Sequence, residues 1–416
     1  MKILHIMPYC PYPPQFGGAL RVFNLLKQMA ARHEVTVIYP GYPGSDDDLR
    51  GAFGGRLAKV ILAARRWTRV YRRLGQAYST LTPNSFFYHM GWDRGTETIL
   101  LNELENGRYD LVQTEFPHMA AYDLPTDAVK ILDEHNIEYD LIRRQWQMAS
   151  NPFRKFHYYE EYRKVYREEM AACRKQDLVL VTSERDRALL DADLPAVKKF
   201  ILPNGVDSSY FRPSPAEPED GTIVFTGMMK YVPNYDGMYY FLENIFPLIL
   251  DKVPGARILV VGADPPPRLL AMRSERVVVT GRVEDVRPYV DRAAVSIVPL
   301  RMGGGTRLKI VESFAMKKPV VSTAIGAEGI DAVHGESIMI ADDPGAFAES
   351  VVTLLKDRAL RQKLASNGYE LMRRRYEWSV IGHELERAYE DAFRNRKNTG
   401  REGRAPGQRI TAETAR

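Results

Sequence analysis

Residues 295–312 read VSIVPLRMGGGTRLKIVE, and this stretch decides the fold of the chain. An apolar run ends at Pro299, three glycines follow, and a helical pattern then carries Arg307, Lys309 and Glu312. A buried strand that passes through a short loop into a helix is the repeating unit of parallel α/β sheets. Because ligands of such sheets bind beyond the carboxyl ends of the strands, the glycine loop is also the first candidate for a binding site.

The same alternation of short apolar runs and helical patterns extends to both sides of this stretch. It predicts parallel sheets built from successive βαβ units. Helices are predicted at about 21–32, 235–250 and 378–394. The predicted strands are 2–7, 34–39, 111–113, 129–132, 178–182, 223–226, 257–261, 277–280, 295–299 and 320–323.

A change of composition near residues 203–220 divides the chain in two. The run PSPAEPEDG at 213–221 is rich in proline and acidic residues, which is typical of a linker. The interpretation is an α/β protein with two tandem Rossmann-like, doubly wound domains that face each other across a cleft. The predicted segments are a first domain at 1–205, a linker at 206–220, a second domain at 221–377, a C-terminal helix at 378–395 and a disordered tail at 396–416.

Bulk features place the chain among cytoplasmic globular proteins. Its 416 residues suit two domains of roughly 200 residues each. Cys10 and Cys173 are far apart and outside any CxxC motif, which excludes a disulfide framework or zinc site and favours a reducing compartment. The first apolar run breaks at Pro8, so no signal peptide is predicted, and no stretch reaches the ~20 apolar residues that span a bilayer.

The glycine loop and the helix after it predict a site for a diphosphate and a ribose. Glycines let backbone N–H groups approach an anion, and a helix N-terminus adds positive potential. A carboxylate about 10 Å further along the helix, at ~1.5 Å per residue, could accept hydrogen bonds from both ribose hydroxyls. The alternative is a plain glycine-rich loop with a surface Lys–Glu pair. The predicted site comprises Gly303, Gly304, Gly305, Thr306, Arg307, Lys309 and Glu312.

A second loop, residues 227–234, leaves the first predicted strand of the second domain and therefore also lies at a carboxyl end. It begins at Gly227 and carries Lys230, which could meet the same diphosphate. An exposed loop lysine without a ligand is the alternative. Two basic strand-end loops in one domain support each other as parts of a single anion site.

Five short motifs, in order along the chain, resemble those of GT-B glycosyltransferases of the large retaining family 4. Within that family the chain is most similar to the sugar transferases of bacterial exopolysaccharide clusters. The resemblance covers about residues 1–395. The motifs are FGGALR at 16–21, DEHNIE at 133–138, PNGVD with Phe211 at 203–211, GMMKYVPN at 227–234 and GGTRLKIVE with KPVV at 304–321.

The resemblance implies transfer of a hexose-type sugar from a nucleoside diphosphate sugar, with retention at the anomeric carbon. It implies a lipid-linked or growing polysaccharide acceptor and no nucleic acid partner. It implies phosphate roles for Lys230 and for Arg307 or Lys309. No metal or other cofactor is expected, because cationic side chains take the place of a metal, and the acidic run 46–48 is interpreted as a solvated loop.

The resemblance also implies roles in the first domain. His135 is expected to contact the transferred sugar or the distal phosphate, with a satisfied structural histidine as the alternative. Gly17, Gly18 and Arg21 are expected to line the acceptor side and to touch the diphosphate when the cleft closes. The C-terminal helix is expected to cross back to the first domain.

One departure from the family pattern concerns the donor sugar. Many members carry two glutamates eight positions apart, of which Glu312 is the second, and the first position is Gly304 here. The nucleotide half of the donor is therefore better supported than the sugar half. Two alternatives remain: a GT-B nucleotide-sugar epimerase, and a non-catalytic nucleotide-binding subunit of a polysaccharide system.

A basic stretch at 56–74 has seven basic and no acidic residues. From Arg65 its pattern is helical, and residues 65–74 place aromatic and basic side chains on a helix that could lie on an anionic membrane. An ordinary solvated helix is the alternative. The first interpretation predicts a peripheral position on the inner face of the plasma membrane.

Overall fold

The computed structural model describes residues 1–64, 75, 78, 79, 81–303 and 305–402, and in these ranges the chain forms two parallel sheets flanked by helices. The predicted membrane helix at 65–74, Gly304 and the end of the chain from residue 403 lie outside the described residues. The fold class is as predicted, an α/β protein with two Rossmann-like halves. Among the described helices, none combines the length and the apolar character needed to cross a bilayer.

The first sheet has seven strands in the order β3-β2-β1-β4-β5-β6-β7, all paired in parallel. Buried apolar runs form its centre, as expected for strands covered on both faces. Its strands are β1 (Lys2–Ile6), β2 (Glu34–Gly41), β3 (Lys59–Ala64), β4 (Leu111–Glu115), β5 (Val129–Glu134), β6 (Leu178–Val181) and β7 (Lys199–Ile201).

The second sheet repeats this winding with six strands in the order β10-β9-β8-β11-β12-β13. In each half the carboxyl ends of the parallel strands meet at one edge, where the candidate loops begin. The strands are β8 (Thr222–Thr226), β9 (Arg257–Val261), β10 (Val277–Gly281), β11 (Val295–Val298), β12 (Val320–Ser322) and β13 (Met339–Ile340).

Helices connect successive strands in both halves. Those of the first half are α1 (Gly17–Ala30), α2 (Ser45–Phe53), α3 (Phe86–Gly91), α4 (Arg94–Asn106), α5 (Glu138–Met148), α6 (Pro152–Arg174) and α7 (Glu184–Asp193). Those that follow are α8 (Val232–Tyr240), α9 (Phe246–Lys252), α10 (Pro267–Ala271), α11 (Arg287–Arg292), α12 (Leu308–Ala315), α13 (Ala324–Ala327), α14 (Pro344–Lys356), α15 (Arg358–Arg375) and α16 (Trp378–Glu402).

Three local predictions differ from the structure. The helix predicted at 235–250 is interrupted by a π-helical turn at Phe241–Ile245, because Pro247 has no N–H and its ring clashes with the preceding turn. The acidic run 46–48, predicted as a loop, forms the first turn of α2, where carboxylates favour the positive end of the helix dipole. Residues 396–402, predicted as disordered, continue α16, which runs from Trp378 to Glu402 without a proline inside it.

The chain passes between the halves twice at adjacent points. The backbone N–H of Val206 donates to the carbonyl of Tyr376 at 2.7 Å, so the two crossing segments are hydrogen-bonded. A Cβ at Gly205 would lie 2.7 Å from atoms of Trp378, which requires glycine there. Helix α16 then packs into the core of the first half, as predicted. Its buried contacts there come from Trp378, Ile381, Leu385, Ala388, Tyr389 and Ala392.

Candidate functional site

The two halves meet where the glycine loop faces the residues after β5. Gly305 has φ +67°, and a Cβ built on it would lie 2.2 Å from Oδ1 of Asn136. Arg144 of α5 donates to the carbonyl of Gly303 at 2.8 Å and to Glu328 at 3.2 Å. Only a residue without a side chain fits at position 305, so the glycines allow the two halves to approach closely.

Lys309 and Glu312 lie on α12 just past this loop and are partly buried. The Lys309 ammonium donates to Oδ1 of Asn234 at 2.8 Å and lies 4.0 Å from the centre of the Phe225 ring. Burial, with Arg307 nearby, lowers the pKa of Lys309 to about 7. Burial raises the pKa of Glu312 to about 7 against the attraction of Lys309. Two side chains with displaced pKa values on one short helix that follows a glycine loop make this helix a candidate for the binding site.

Arg307 has a different position from the one predicted. It precedes the first residue of α12 rather than lying in its first turn, and it is buried. Its guanidinium donates to the carbonyl of Gly305 at 2.7 Å and to that of Ile325 at 3.4 Å. Arg307 therefore supports the loop from beneath. Thr306 follows the loop, and its hydroxyl is buried without a hydrogen-bond partner among the described residues.

The loop after β8 brings Gly227 to this site but directs Lys230 elsewhere. A Cβ at Gly227, where φ is +156°, would lie 3.0 Å from the Lys309 ammonium and 2.8 Å from Asn234. The Lys230 side chain is exposed and forms a salt bridge with Asp264 at 3.5 Å. Of the two predicted lysines, Lys309 contacts Asn234 beside the glycine loop, whereas Lys230 pairs with Asp264 at the surface.

His135 follows β5 and is part of a buried network centred on Glu115. Nε2 of His135 is 2.6 Å from one oxygen of Glu115, and Nε2 of His5 is 2.5 Å from the other. Gln113 donates to the same carboxylate at 2.8 Å. Burial alone would raise the pKa of Glu115, but His5 and the hydrogen bonds from both imidazoles outweigh it and hold the pKa well below its ordinary value. The carboxylate is therefore ionised and accepts N–H from both rings.

This network leaves one nitrogen of the buried His135 ring without a hydrogen-bond partner in the described part of the chain. Because Nε2 donates to Glu115, the other ring nitrogen, Nδ1, remains, and it has no hydrogen-bond partner among the described residues. The ring stacks on Phe116 with centroids 3.9 Å apart. Phe116 has φ +67°, a strained conformation for a residue with a side chain and typical of functional sites.

The two glycines at the start of α1 lie next to the site, whereas Arg21 does not. A Cβ at Gly17 would lie 3.6 Å from Leu308 at the start of α12, and one at Gly18 would lie 2.6 Å from the Tyr9 hydroxyl. Arg21 is fully buried and donates to both oxygens of Asp133 at 2.8 and 2.9 Å. The expectation that Arg21 lines the acceptor side does not fit this geometry, because its charge is already paired inside the first half.

Three acidic and imidazole groups lie close enough together to hold an ion: Glu115, Asp133 and His135. Both oxygens of Asp133 accept from Arg21, and both oxygens of Glu115 accept from ring nitrogens. A carboxylate that serves a guanidinium or two imidazoles has few lone pairs left for a metal. The group therefore fits a hydrogen-bonded network better than a metal centre.

Sequence reasoning missed Glu115, His5 and Arg144. Glu115 and His5 lie on neighbouring strands, and their separation of 110 positions conceals the contact. A polar residue inside a short buried strand, as in LVQTE at Leu111–Glu115, is the signal that could have found Glu115. Arg144 belongs to a mostly polar helix pattern, and nothing in the sequence distinguishes it from a solvated arginine.

Comparison with known proteins assigns both halves to the same class of enzyme. Residues 17–210 match the family model described as Glycosyltransferase Family 4, and residues 220–357 match that described as Glycosyl transferases group 1. The chain is a GT-B-type glycosyltransferase. The glycine loop of this glycosyltransferase belongs to the part matched by the group 1 model, and His135 belongs to the part matched by the family 4 model.

Curated relatives are distant. An uncharacterized 44.6 kDa protein in the cps region of Klebsiella pneumoniae is 22% identical over 391 residues, which span 90% of this chain and 96% of that protein. The phosphatidyl-myo-inositol mannosyltransferase of Mycobacterium leprae (strain TN) is 28% identical over 200 residues, 45% of this chain and 52% of that enzyme. The glycosyltransferase thus spans about half the length of the mannosyltransferase that it matches.

Solved structures share the GT-B fold over nearly the full length. Sucrose-phosphate synthase from Thermosynechococcus elongatus superposes with a TM-score of 0.70 at 16% identity, over 95% of this chain and all of that one. Anabaena HepE in complex with UDP superposes with a TM-score of 0.66 at 14% identity, over 94% of this chain and all of that one. At these sequence identities the structural similarity establishes the fold of the glycosyltransferase. Its substrates have to be inferred from the residues of the site.

Proposed function

We propose that this glycosyltransferase moves a hexose-type sugar from a nucleoside diphosphate sugar to an acceptor, with retention at the anomeric carbon. The observation that supports this most is the juxtaposition across the cleft of the glycine loop and His135. Gly305 approaches Asn136, the residue after His135, closely enough that a side chain at 305 would collide with it. A donor held with its diphosphate at the loop would therefore present its sugar to His135.

The nucleotide end of the donor binds along α12 in this proposal. The backbone N–H groups at the start of α12 and the Lys309 ammonium meet the diphosphate, where positive potential is highest. Glu312 lies one turn further along and accepts hydrogen bonds from the ribose hydroxyls. Arg307 holds the loop in shape through the carbonyl of Gly305, and Lys230 contributes from the loop after β8.

The chemical step breaks the bond between the anomeric carbon and the β-phosphate oxygen. The electron pair goes to the departing diphosphate, and the acceptor hydroxyl forms the new bond on the same face and passes its proton to that phosphate. Lys309 and the loop amides stabilise the growing phosphate charge, which is catalysis by preorganised electrostatics. In this proposal His135 contacts the transferred sugar or the distal phosphate. The proposal includes no metal ion, because cationic groups neutralise the diphosphate.

The relatives support the substrate classes. HepE is solved with UDP-glucose, and TarM from Staphylococcus aureus is solved with UDP and α-GlcNAc-glycerol. Curated relatives include capsular and phosphatidylinositol-modifying transferases. We therefore propose a lipid-linked or growing polysaccharide acceptor in exopolysaccharide synthesis. A cytoplasmic enzyme that reaches such an acceptor would act at the inner face of the membrane, with residues 65–74 as one contact.

The displaced pKa values of Lys309 and Glu312 predict a bell-shaped pH dependence of nucleotide affinity. Diphosphate binding needs the Lys309 ammonium, which is lost as pH rises through about 7. Ribose binding needs the Glu312 carboxylate, which is lost as pH falls through about 7. Away from the maximum we expect affinity to fall by up to about tenfold per pH unit on each side. Calorimetric titration of a nucleoside diphosphate across this range measures the profile.

Two conservative substitutions check the assignment of the two limbs. Lys309→Arg keeps its charge at all these pH values and should flatten the alkaline limb only. Glu312→Gln should flatten the acid limb only. An affinity that is constant with pH in the wild-type enzyme would contradict the roles given to both residues.

Transfer itself is tested with a nucleotide sugar labelled at the anomeric carbon. Incubation with an acceptor extract should give a product whose anomeric configuration by NMR equals that of the donor. An epimerised donor in the absence of acceptor would favour the nucleotide-sugar epimerase. Binding without hydrolysis, epimerisation or transfer would favour the non-catalytic subunit, for which Gly304 in place of the first family glutamate is the supporting observation.

A further inference from the structure

The corner between α5 and α6 exposes large apolar side chains to solvent. Phe153 is 86% exposed, Phe156 is 67% exposed and Met148 is 55% exposed. Phenylalanine is usually among the most buried residue types, so two such side chains three positions apart on one helix need an explanation. We refer to Met148, Phe153, Arg154, Lys155 and Phe156 as the corner surface.

Aromatic contacts between α5 and α6 lie behind the corner surface. Trp146 of α5 stacks on Tyr162 of α6 with centroids 5.9 Å apart and planes 14° apart, and it also contacts Tyr159 at 5.0 Å. Asn151 caps α6 by accepting from the N–H of Arg154 at 3.1 Å. The exposed phenylalanines therefore lie at the capped start of α6, and the aromatic rings of α6 pack against α5.

The stretch of chain between Asp140 and Glu160, which carries the corner surface, has basic charges only. Residues 141–159 contain four basic residues and no acidic residue. Arg143 and Arg144 of α5 pair with Asp140. Arg154 and Lys155 are exposed and form no salt bridge within the described ranges of the chain. Basic side chains without salt bridges to the described residues, next to exposed phenylalanines, complement a partner surface that has negative charge at its outside and apolar groups beneath.

We propose that the corner surface binds an anionic lipid bilayer, with Phe153 and Phe156 inserted at the level of the headgroups. Aromatic side chains bury their rings at this depth, while arginine and lysine attract anionic headgroups. A protein partner would explain the phenylalanines but gives no reason for two basic side chains beside them that are unpaired in the part of the chain that the structure describes. The basic stretch at 65–74 is a separate segment, and the corner surface does not depend on it.

The position of the corner surface relates the membrane to the cleft. Helix α5 begins at Glu138, three residues after His135, and ends at Met148. Its eleven residues span about 16 Å at ~1.5 Å each. A bilayer at the corner would therefore lie about one short helix away from the cleft. Access to an acceptor anchored in that bilayer rests on the proposed function, whereas membrane binding itself does not.

Vesicle flotation tests the proposal with the full chain. We expect the wild-type protein to float with vesicles of phosphatidylglycerol and phosphatidylcholine, and to float much less with phosphatidylcholine alone. Phe153→Ser with Phe156→Ser should weaken partitioning by about tenfold or more, because each ring loses its apolar burial. Arg154→Gln with Lys155→Gln should weaken it by about tenfold and remove the dependence on anionic lipid. Leu248→Ser with Val333→Ser, two exposed apolar positions in the second half, is the matched control and should float as wild type does.

The proposal would be overturned if the wild-type protein did not float, or if the double phenylalanine variant floated as well as the wild type. It would also be overturned if the wild type were a dimer and this variant a monomer, because the corner surface would then be a self-association surface. Because all substituted side chains are exposed, unfolding temperatures should stay unchanged. Hydrolysis of a nucleotide sugar in the absence of vesicles should also remain unchanged in the phenylalanine variant. If flotation succeeds but no variant or wild type uses a nucleotide sugar, the proposed function fails and the membrane surface stands.

Discussion

Replacement of Lys309 by methionine is expected to lower the kcat of sugar transfer by a factor of about 100 to 1000. Lys309 is the cation that the structure places at the start of α12, beside the loop that would hold the departing diphosphate. Removal of one preorganised group that stabilises transition-state charge in a sheltered site typically has an effect of this size. Methionine keeps an unbranched apolar side chain that is one atom shorter, so the main loss is the charge. Steady-state kinetics with a nucleotide sugar measures it.

A matched control separates this effect from a general loss of positive charge. Lys252 is exposed, pairs with Glu349 and lies outside the site. Lys252→Met should retain the wild-type kcat. Equal kcat values for Lys309→Met and the wild-type enzyme would remove Lys309 from the catalytic step.

The second large effect is expected at Glu115. Substitution by glutamine keeps the shape but removes the charge that holds Nε2–H of both His5 and His135. An amide accepts through one oxygen only, so at least one imidazole loses its acceptor and His135 loses its fixed orientation. We expect kcat to fall by about 100-fold, as when the orienting partner of a catalytic group is lost, with little change in nucleotide affinity.

A double substitution shows whether Glu115 acts through His135. If it does, Glu115→Gln should cost little more in a His135→Ala background, because residues that act as one unit are not additive. Glu34→Gln, at an exposed glutamate that pairs with Lys2, is the control and should be silent. Unfolding temperature and circular dichroism monitor the fold of each variant. Additive losses in kcat would mean that Glu115 stabilises the fold and does not act by orienting His135.

Strand and loop positions could be predicted because each depends on local patterns. Short apolar runs give the strands, and the glycines at 303–305 before a helical pattern give the site loop. The order of strands in each sheet follows from the rules for doubly wound folds. The interruption of the helix at Phe241–Ile245 could also be predicted, because Pro247 lies inside the helix predicted at 235–250.

Side-chain partners could not be predicted because they depend on contacts between distant segments. Arg21 lies in a motif that suggested a ligand contact, yet its guanidinium donates to both oxygens of Asp133, 112 positions away, and to the carbonyl of Pro203. Lys230 and Lys309 look alike in sequence, but only Lys309 points to Asn234 in the site. Glu115 has no motif at all, and its role becomes visible only when β1, β4 and β5 lie side by side.

The glycine loop and the first part of α12, from Gly303 to Glu312, are proposed to bind the nucleoside diphosphate of a sugar donor. Isothermal titration of the wild-type enzyme with a panel of nucleoside diphosphates tests this proposal most directly. We predict that at least one nucleoside diphosphate binds. Lys309→Met and Glu312→Ala should each raise its Kd by about tenfold or more, which corresponds to a loss of about 1.4 kcal/mol of binding free energy. Absence of binding by every member, or an unchanged Kd in both variants, would contradict the account.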